Sequence, residues 1–172
     1  QAERPQDCWI YRKDIGFVIR PGVSLVAALA KATQPEVSGT LYSFSCYRAT
    51  EYVMLLGIAE ELAHCNPALY AQLQTLWTAR PIMSGQFHDV FLREQGAMEA
   101  PLHTHYFVPG DRNWLRNPDE ASAEASGYEG SWVIYSLGPD REDGGGAAEF
   151  SGVGNEDWRK PWSGDIVLAA SR

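Results

Sequence analysis

The sequence predicts a single α+β domain over residues 1–172, with a central N-terminal helix packed on an antiparallel sheet. Three observations predict it. Residues 42–65 include a long proline-free run in which Ala49, Val53, Leu56 and Ala63 recur at helical steps. Met54, Leu55, Ile58 and Leu62 widen that stripe until the middle turns are apolar nearly all round, as in a buried helix. From Leu102 onward the texture changes to short aromatic and β-branched runs punctuated by Pro, Gly and Asp, which reads as an antiparallel meander. No repeat or domain-sized linker divides the 172 residues, a length that suits one well-cored domain and is short for two.

Taken in order, the first seven residues are polar and are expected to be loose. Cys8-Trp9-Ile10-Tyr11 and Ile15-Gly16-Phe17-Val18-Ile19 predict two strands joined by the charged turn Arg12-Lys13-Asp14. After Pro21-Gly22, Ser24 is placed to cap a short helix over 25–31. A loop over 33–39, with Pro35 and Gly39, leads to the central helix, which starts at or just after Cys46 and stops near His64, before Asn66-Pro67. Pro67 opens a further helix, 68–77, with Leu69, Leu73, Leu76 and Trp77 on one face. Phe87, Val90, Phe91 and Leu92 fit a strand or a helical turn equally, and His88-Asp89 reads as a solvated pair. Strands are predicted over 102–108, 113–116 and 128–137, the last being the strongest. The turns Pro109-Gly110-Asp111 and Gly138-Pro139-Asp140 punctuate them, and Gly144-Gly145-Gly146 marks a flexible turn. The tail carries Trp158, Trp162 and an apolar piece over 166–170.

The formal net charge of −8 repels phosphate backbones, and the basic residues are scattered, so nucleic acid is not an expected partner. No apolar run is long enough to span a membrane. Three cysteines, Cys8, Cys46 and Cys65, cannot all pair with one another, and neither they nor the four histidines fall at metal-site spacing. No metal or organic cofactor is implied. The chain begins Gln1-Ala2-Glu3 rather than with Met and shows no secretory signal, so it reads as a processed product or a domain cut from a longer protein.

One cysteine stands out by position. Cys46 heads the central helix, where backbone amides and the helix dipole favour negative charge and hence the nucleophilic thiolate. The competing reading is a small buried hydrophobe, the usual role of an unpaired cysteine.

Several segments resemble, in order, the spore-associated bacterial protein-glutamine gamma-glutamyltransferases. Phe17-Val18-Ile19 and Ser24-Leu25-Val26-Ala27-Ala28-Leu29 are similar to the strand and helix ahead of that family's nucleophile. Tyr42-Ser43-Phe44-Ser45-Cys46, with Ala49 behind it, resembles Tyr-x-Phe-Glu-Cys-Ala-Thr-Ala. His105-Tyr106-Phe107, Gly110-Asp111 and Trp114-Leu115-Arg116-Asn117-Pro118-Asp119 follow the family's paired aromatics, Gly-Asp, and aromatic-x-Lys-Asn-Pro-Glu. Tyr128, Gly130, Val133 and Ile134 fall where the family has Trp-x-Gly-Glu-Asn-Val-Ile. The resemblance implies a papain-like, NlpC/P60-related domain and Cys46 as nucleophile. It also exposes departures: Ser45 and Ser131 stand where the family has acids, and no histidine occurs in Phe150-Ser151-Gly152-Val153-Gly154.

The nearest substitute carboxylate is Glu129, two residues before Ser131 on a predicted strand and therefore on the same face. It could take the thiol proton or orient a neighbour, or be an exposed strand-end glutamate. His105, with His103 on the same face, is the other candidate base, since Cys–His pairs serve acyl transfer. Trp114 and Trp132 fit the wall of an acyl-donor cleft or ordinary core packing.

The function expected from the resemblance is transglutaminase chemistry: Cys46 attacks a protein glutamine, releases ammonia, and passes the acyl group to an amine such as lysine. The alternatives are a glutamine deamidase or amidase, acting as a toxin or effector domain with an inhibitory partner protein, and a binding module that retains the fold without the chemistry. The expected location is the cytoplasm, or delivery from it.

Overall fold

The computed structural model describes residues 4–78, 80–97, 99–117, 119–126, 129–136 and 166–169. The expected turns at 138–140 and 144–146, the segment 150–154, Trp158 and Trp162, and motif residues Pro118 and Tyr128 lie outside the described residues. The architecture is mixed α+β with two small antiparallel sheets. The chain divides into two compact units, Gln1–Arg93 and Glu94–Ser171.

In the first unit, β1 (Trp9–Arg12) and β2 (Gly16–Ile19) form a hairpin with Trp9 opposite Ile19 and Arg12 opposite Gly16. Gly16 adopts a φ of 91°, the left-handed region a side chain resists. Helix α1 (Leu25–Thr33) follows the predicted cap: Ser24 Oγ accepts the Ala27 N–H at 3.0 Å. Leu25, Ala28, Leu29 and Ala32 recur at three- and four-residue steps and are all buried. The expected loop beyond it contains a single helical turn, α2 (Pro35–Ser38), with Pro35 at its first position and Gly39 closing it at a φ of 69°. That Pro-first, Gly-last arrangement is a helix signal in its own right.

Helix α3 (Cys46–Cys65) is the predicted central helix. It is not ringed by protein as expected. Tyr52, Leu55, Leu56 and Ala59 are buried, while Gly57, Glu60, Glu61 and Ala63 face solvent and the flanking Val53, Met54, Ile58 and Leu62 are half-buried. Helix α4 (Pro67–Thr78) starts where Asn66 Oδ1 accepts the Leu69 N–H at 3.1 Å. Its buried face is Leu73 and Trp77 alone; Leu69 and Leu76, predicted to share that face, are exposed. Gln74 ties α4 to the start of α1, accepting the Leu25 N–H at 2.6 Å and donating to the Val23 carbonyl at 3.0 Å. The ambiguous stretch is helical: α5 (Ser84–Phe91) buries Phe87 beside Phe91, which also approaches Trp77. His88 there is half-buried rather than fully solvated.

Leu25, Leu29, Leu55, Trp77 and Phe87 form the centre of one core shared by α1, α3, α4 and α5. Each contributes about 1.5–3 kcal/mol by burial. Trp9 brings the hairpin into the same core, its ring stacked on Tyr52 at 5.3 Å and its Nε1 donating to the Ala28 carbonyl at 2.9 Å. From Arg4 onward the N-terminal segment is anchored, contrary to expectation. Arg4 is 8% exposed, the Pro5 carbonyl accepts from Trp9 N–H at 2.8 Å, and Asp7 pairs with Lys31.

In the second unit, the strand predicted over 102–108 is instead a 3-10 turn, Thr104–Tyr106. His103 Nδ1 accepts the His105 N–H at 3.3 Å and the His103 carbonyl accepts the Tyr106 N–H at 3.0 Å. These local bonds satisfy groups a ladder would have used. Beyond it, β3 (Arg112–Arg116), β4 (Gly130–Ser136) and β5 (Ile166–Ala169) form an antiparallel sheet in the order β3-β4-β5. A single turn, α6 (Glu120–Ala123), lies between β3 and β4. Val133, Ile134 and Tyr135 are buried. No helix among the described residues is long and apolar enough to cross a membrane.

Candidate active site

Cys46 is the first residue of α3, half-buried, with an unbridged thiol. Ser45 is the helix cap. Its backbone is extended, its Oγ accepts the Arg48 N–H at 3.3 Å, and its carbonyl accepts the Ala49 N–H at 2.9 Å. This explains a residue that the sequence registers only as a missing acid, because a serine at that position turns the chain into the helix. The thiol therefore stands at the positive end of a 20-residue helix.

The approach to Cys46 is held by aromatic packing. Phe44 meets Tyr52 edge-on at 5.5 Å, and Tyr52 stacks on Trp9. The Arg4 guanidinium lies 4.0 Å from the Phe44 centroid, with Phe17 and Tyr52 at 5.1 and 5.3 Å.

Two residues of this turn escaped the sequence reading. Glu51 is 0% exposed, and its Oε2 accepts from Arg48 Nη1 at 2.8 Å. The same Arg48 nitrogen donates to the Ile82 carbonyl, in the segment entering α5. The signal was available: opposite charges three residues apart, interrupting an otherwise apolar helix, can pair on one face.

In the second unit, Glu129 directly precedes β4 and is exposed, its carbonyl accepting the Asn117 N–H at 2.9 Å. With Trp114, Arg116, Glu120, Ala123 and Glu124 it lines a cleft of about 530 Å³. Ser131 is half-buried within β4, opposite Leu115. Trp114 and Trp132 are direct cross-strand partners, with ring centroids 5.5 Å apart, and the Arg112 guanidinium lies 4.1 Å from the Trp132 ring. Both indoles are half-buried, and Trp114 also belongs to the cleft wall. His103 and His105 are exposed on the 3-10 turn, their Nδ1 atoms 2.6 Å apart. Cys46 belongs to the first unit; Glu129, Ser131 and the two histidines belong to the second.

The other two thiols have different surroundings. Cys65 is exposed at the end of α3. Cys8 is buried, and its thiol is pushed above the usual range by burial first and by the neighbouring Asp7 charge second.

A thiol at a helix N-terminus is an arrangement suited to nucleophilic acyl transfer. The family model for protein-glutamine gamma-glutamyltransferases matches residues 1–146, and the chain belongs to that family. It is thus a transferase whose substrates are glutamine-bearing proteins and amine donors. Neither a curated protein nor a solved structure matches the chain.

Proposed function

We propose that Cys46 is the nucleophile of this transglutaminase. Its sulfur attacks the side-chain carbonyl carbon of a protein glutamine, the carbon–nitrogen bond breaks, and the departing nitrogen takes up the proton the thiol gave and leaves as ammonia. The resulting thioester is attacked by an amine, preferably a lysine Nζ. The carbon–sulfur bond then breaks, the amine loses a proton, and the thiolate returns. Backbone amides in the first turn of α3 are the donors for the oxyanion. The observation that carries this reading is the capped, half-buried thiol at the head of α3.

The proton partner we propose is Glu129. It is the acid nearest in sequence to Ser131, and it lines a cleft with the Trp114 indole, the Arg116 guanidinium and two further carboxylates. His105 is the competing base. A papain-like fold, with residues 1–172 as one transglutaminase-like domain, is part of the same proposal. Its support is the family match over residues 1–146.

Incubation with casein and a labelled primary amine tests this. Wild type is expected to incorporate the amine and release ammonia, and Cys46→Ser to do neither. Glu129→Gln is expected to lose most of the activity, whereas loss in His105→Ala with full activity in Glu129→Gln would reassign the base. Ammonia release without incorporation would mean that water takes the acyl group, making the protein a deamidase.

A further inference from the structure

We propose that Arg48 and Glu51 are positioning residues for the catalytic thiol, an inference that rests on Cys46 being the nucleophile. The first turn of a helix is its least constrained part, because its amides lack intrahelical partners. Here its cap is an exposed serine with a 3.3 Å bond, a contact that water competes for. Something else must hold the turn if the sulfur and the oxyanion amides are to keep a fixed relation.

Arg48, two residues after Cys46, supplies it. Its Nη1 bonds a carboxylate with no exposure at all and, at the same time, the Ile82 carbonyl. Ile82 is an effective anchor because its own side chain is buried in the core. The guanidinium thus clamps the beginning of α3 to the chain entering α5.

The energetics argue against a purely stabilising role. Removing a carboxylate and a guanidinium from water costs about as much as their attraction returns, and apolar residues of similar volume usually serve stability as well or better. What an ion pair offers over such residues is direction: it fixes one angular setting of the turn. Reacting groups displaced by about 1 Å can lose about 100-fold in rate.

The experiment replaces the pair by apolar residues of similar size, Arg48→Met with Glu51→Leu, and measures amine incorporation, Tm and alkylation of Cys46 by iodoacetamide. The double variant is expected to keep its Tm within about 4 °C. Its kcat should fall about 10- to 100-fold with KM for the glutamine substrate within about twofold, and Cys46 alkylation should slow. Arg48→Lys, which keeps the charge but not the planar fork, should fall between wild type and the double variant. Should the apolar pair fail to fold, Arg48→Gln with Glu51→Gln decides. The amide at 48 is shorter than the guanidinium it replaces and cannot span both partners, so the kcat loss is expected again. Wild-type kcat in either folded double variant, with Cys46→Ser inactive, overturns the proposal and leaves the nucleophile in place. Activity persisting in Cys46→Ser overturns the nucleophile and this proposal with it.

Discussion

The guanidinium of Arg4 lies 4.0 Å from the centroid of the Phe44 ring, so a residue at the very start of the described chain supports the lead into Cys46. The same cation donates through Nε to the Tyr52 hydroxyl at 3.5 Å, and Tyr52 is itself stacked on Trp9 of the hairpin. Hairpin, N-terminal segment and central helix therefore converge beneath the segment that delivers the thiol. Cys46 is thus flanked by this packing on one side and by the Arg48 bonds to Glu51 and the Ile82 carbonyl on the other.

Truncating that cation should be costly. A largely desolvated cation–π contact contributes about 2 kcal/mol, and Arg4 is in reach of three rings. Arg4→Ala is expected to destabilise the protein by about 2 kcal/mol in urea titrations and to reduce kcat by loosening Phe44. An unchanged urea midpoint would show that the aromatic cluster holds without it.

Ser45 offers a separable test of the helix cap. Ser45→Ala removes the acceptor for the Arg48 N–H and should cost about 0.5–1 kcal/mol, the lower part of the range for an exposed cap. Ser45→Asp retains a capping oxygen and adds a charge favoured at a helix N-terminus, so it should recover that stability. Differential scanning calorimetry of the two variants distinguishes a cap from an incidental serine, for which both would match wild type.

Gly130 must be a glycine for a local steric reason. A Cβ there would collide with the Leu115 carbonyl oxygen and lie 2.8 Å from Trp114 Cζ2 and 3.1 Å from Arg116 Cα. Two of these are backbone atoms of the neighbouring strand, which cannot yield without breaking the β3–β4 register. Gly130→Ala is expected to cost about 3 kcal/mol or more and to abolish hydrogen-exchange protection of β3 and β4. Retained protection would mean that the strands can part at no cost.

Much of this was legible in the sequence, and the failures have identifiable causes. Ser24, Cys46, Pro67 and the run 128–137 carry local signals, and α1, α3, α4 and β4 lie close to where those signals put them. The run 102–108 ends in Tyr106-Phe107-Val108, a strand-like texture, but no periodicity argument contains the hydrogen bond that His103 Nδ1 accepts from the His105 N–H. The apolar residues of α3 outnumber what one face needs and so predict burial all round; burial depends on which neighbours arrive, and Gly57, Glu60 and Glu61 are exposed. Cys46 was visible as the head of a helix. Its supports were not: Arg4 acts across 40 residues of sequence on Phe44, and Arg48 reaches Ile82 on another element. Contacts of that range leave no local trace.

Cys8 carries a pH dependence whose sign follows from its burial. The folded state raises its thiol above the unfolded value, chiefly by desolvation and further by Asp7, so the fold holds that proton more tightly than the unfolded chain does. This contribution is complete below the unfolded thiol pKa of about 8.5. It is lost progressively as pH rises from there through the folded value. Lys31, also raised by its bond to Asp7, adds a loss of the same sign at higher pH. Wild type should therefore lose stability between about pH 8.5 and pH 10.5, measured as a falling urea midpoint. Cys8→Ala should start slightly less stable at pH 7, from the lost sulfur packing, and decline less steeply over that interval. Parallel declines in the two proteins would place the alkaline sensitivity in other groups and leave the buried Cys8 thiol without a part in it.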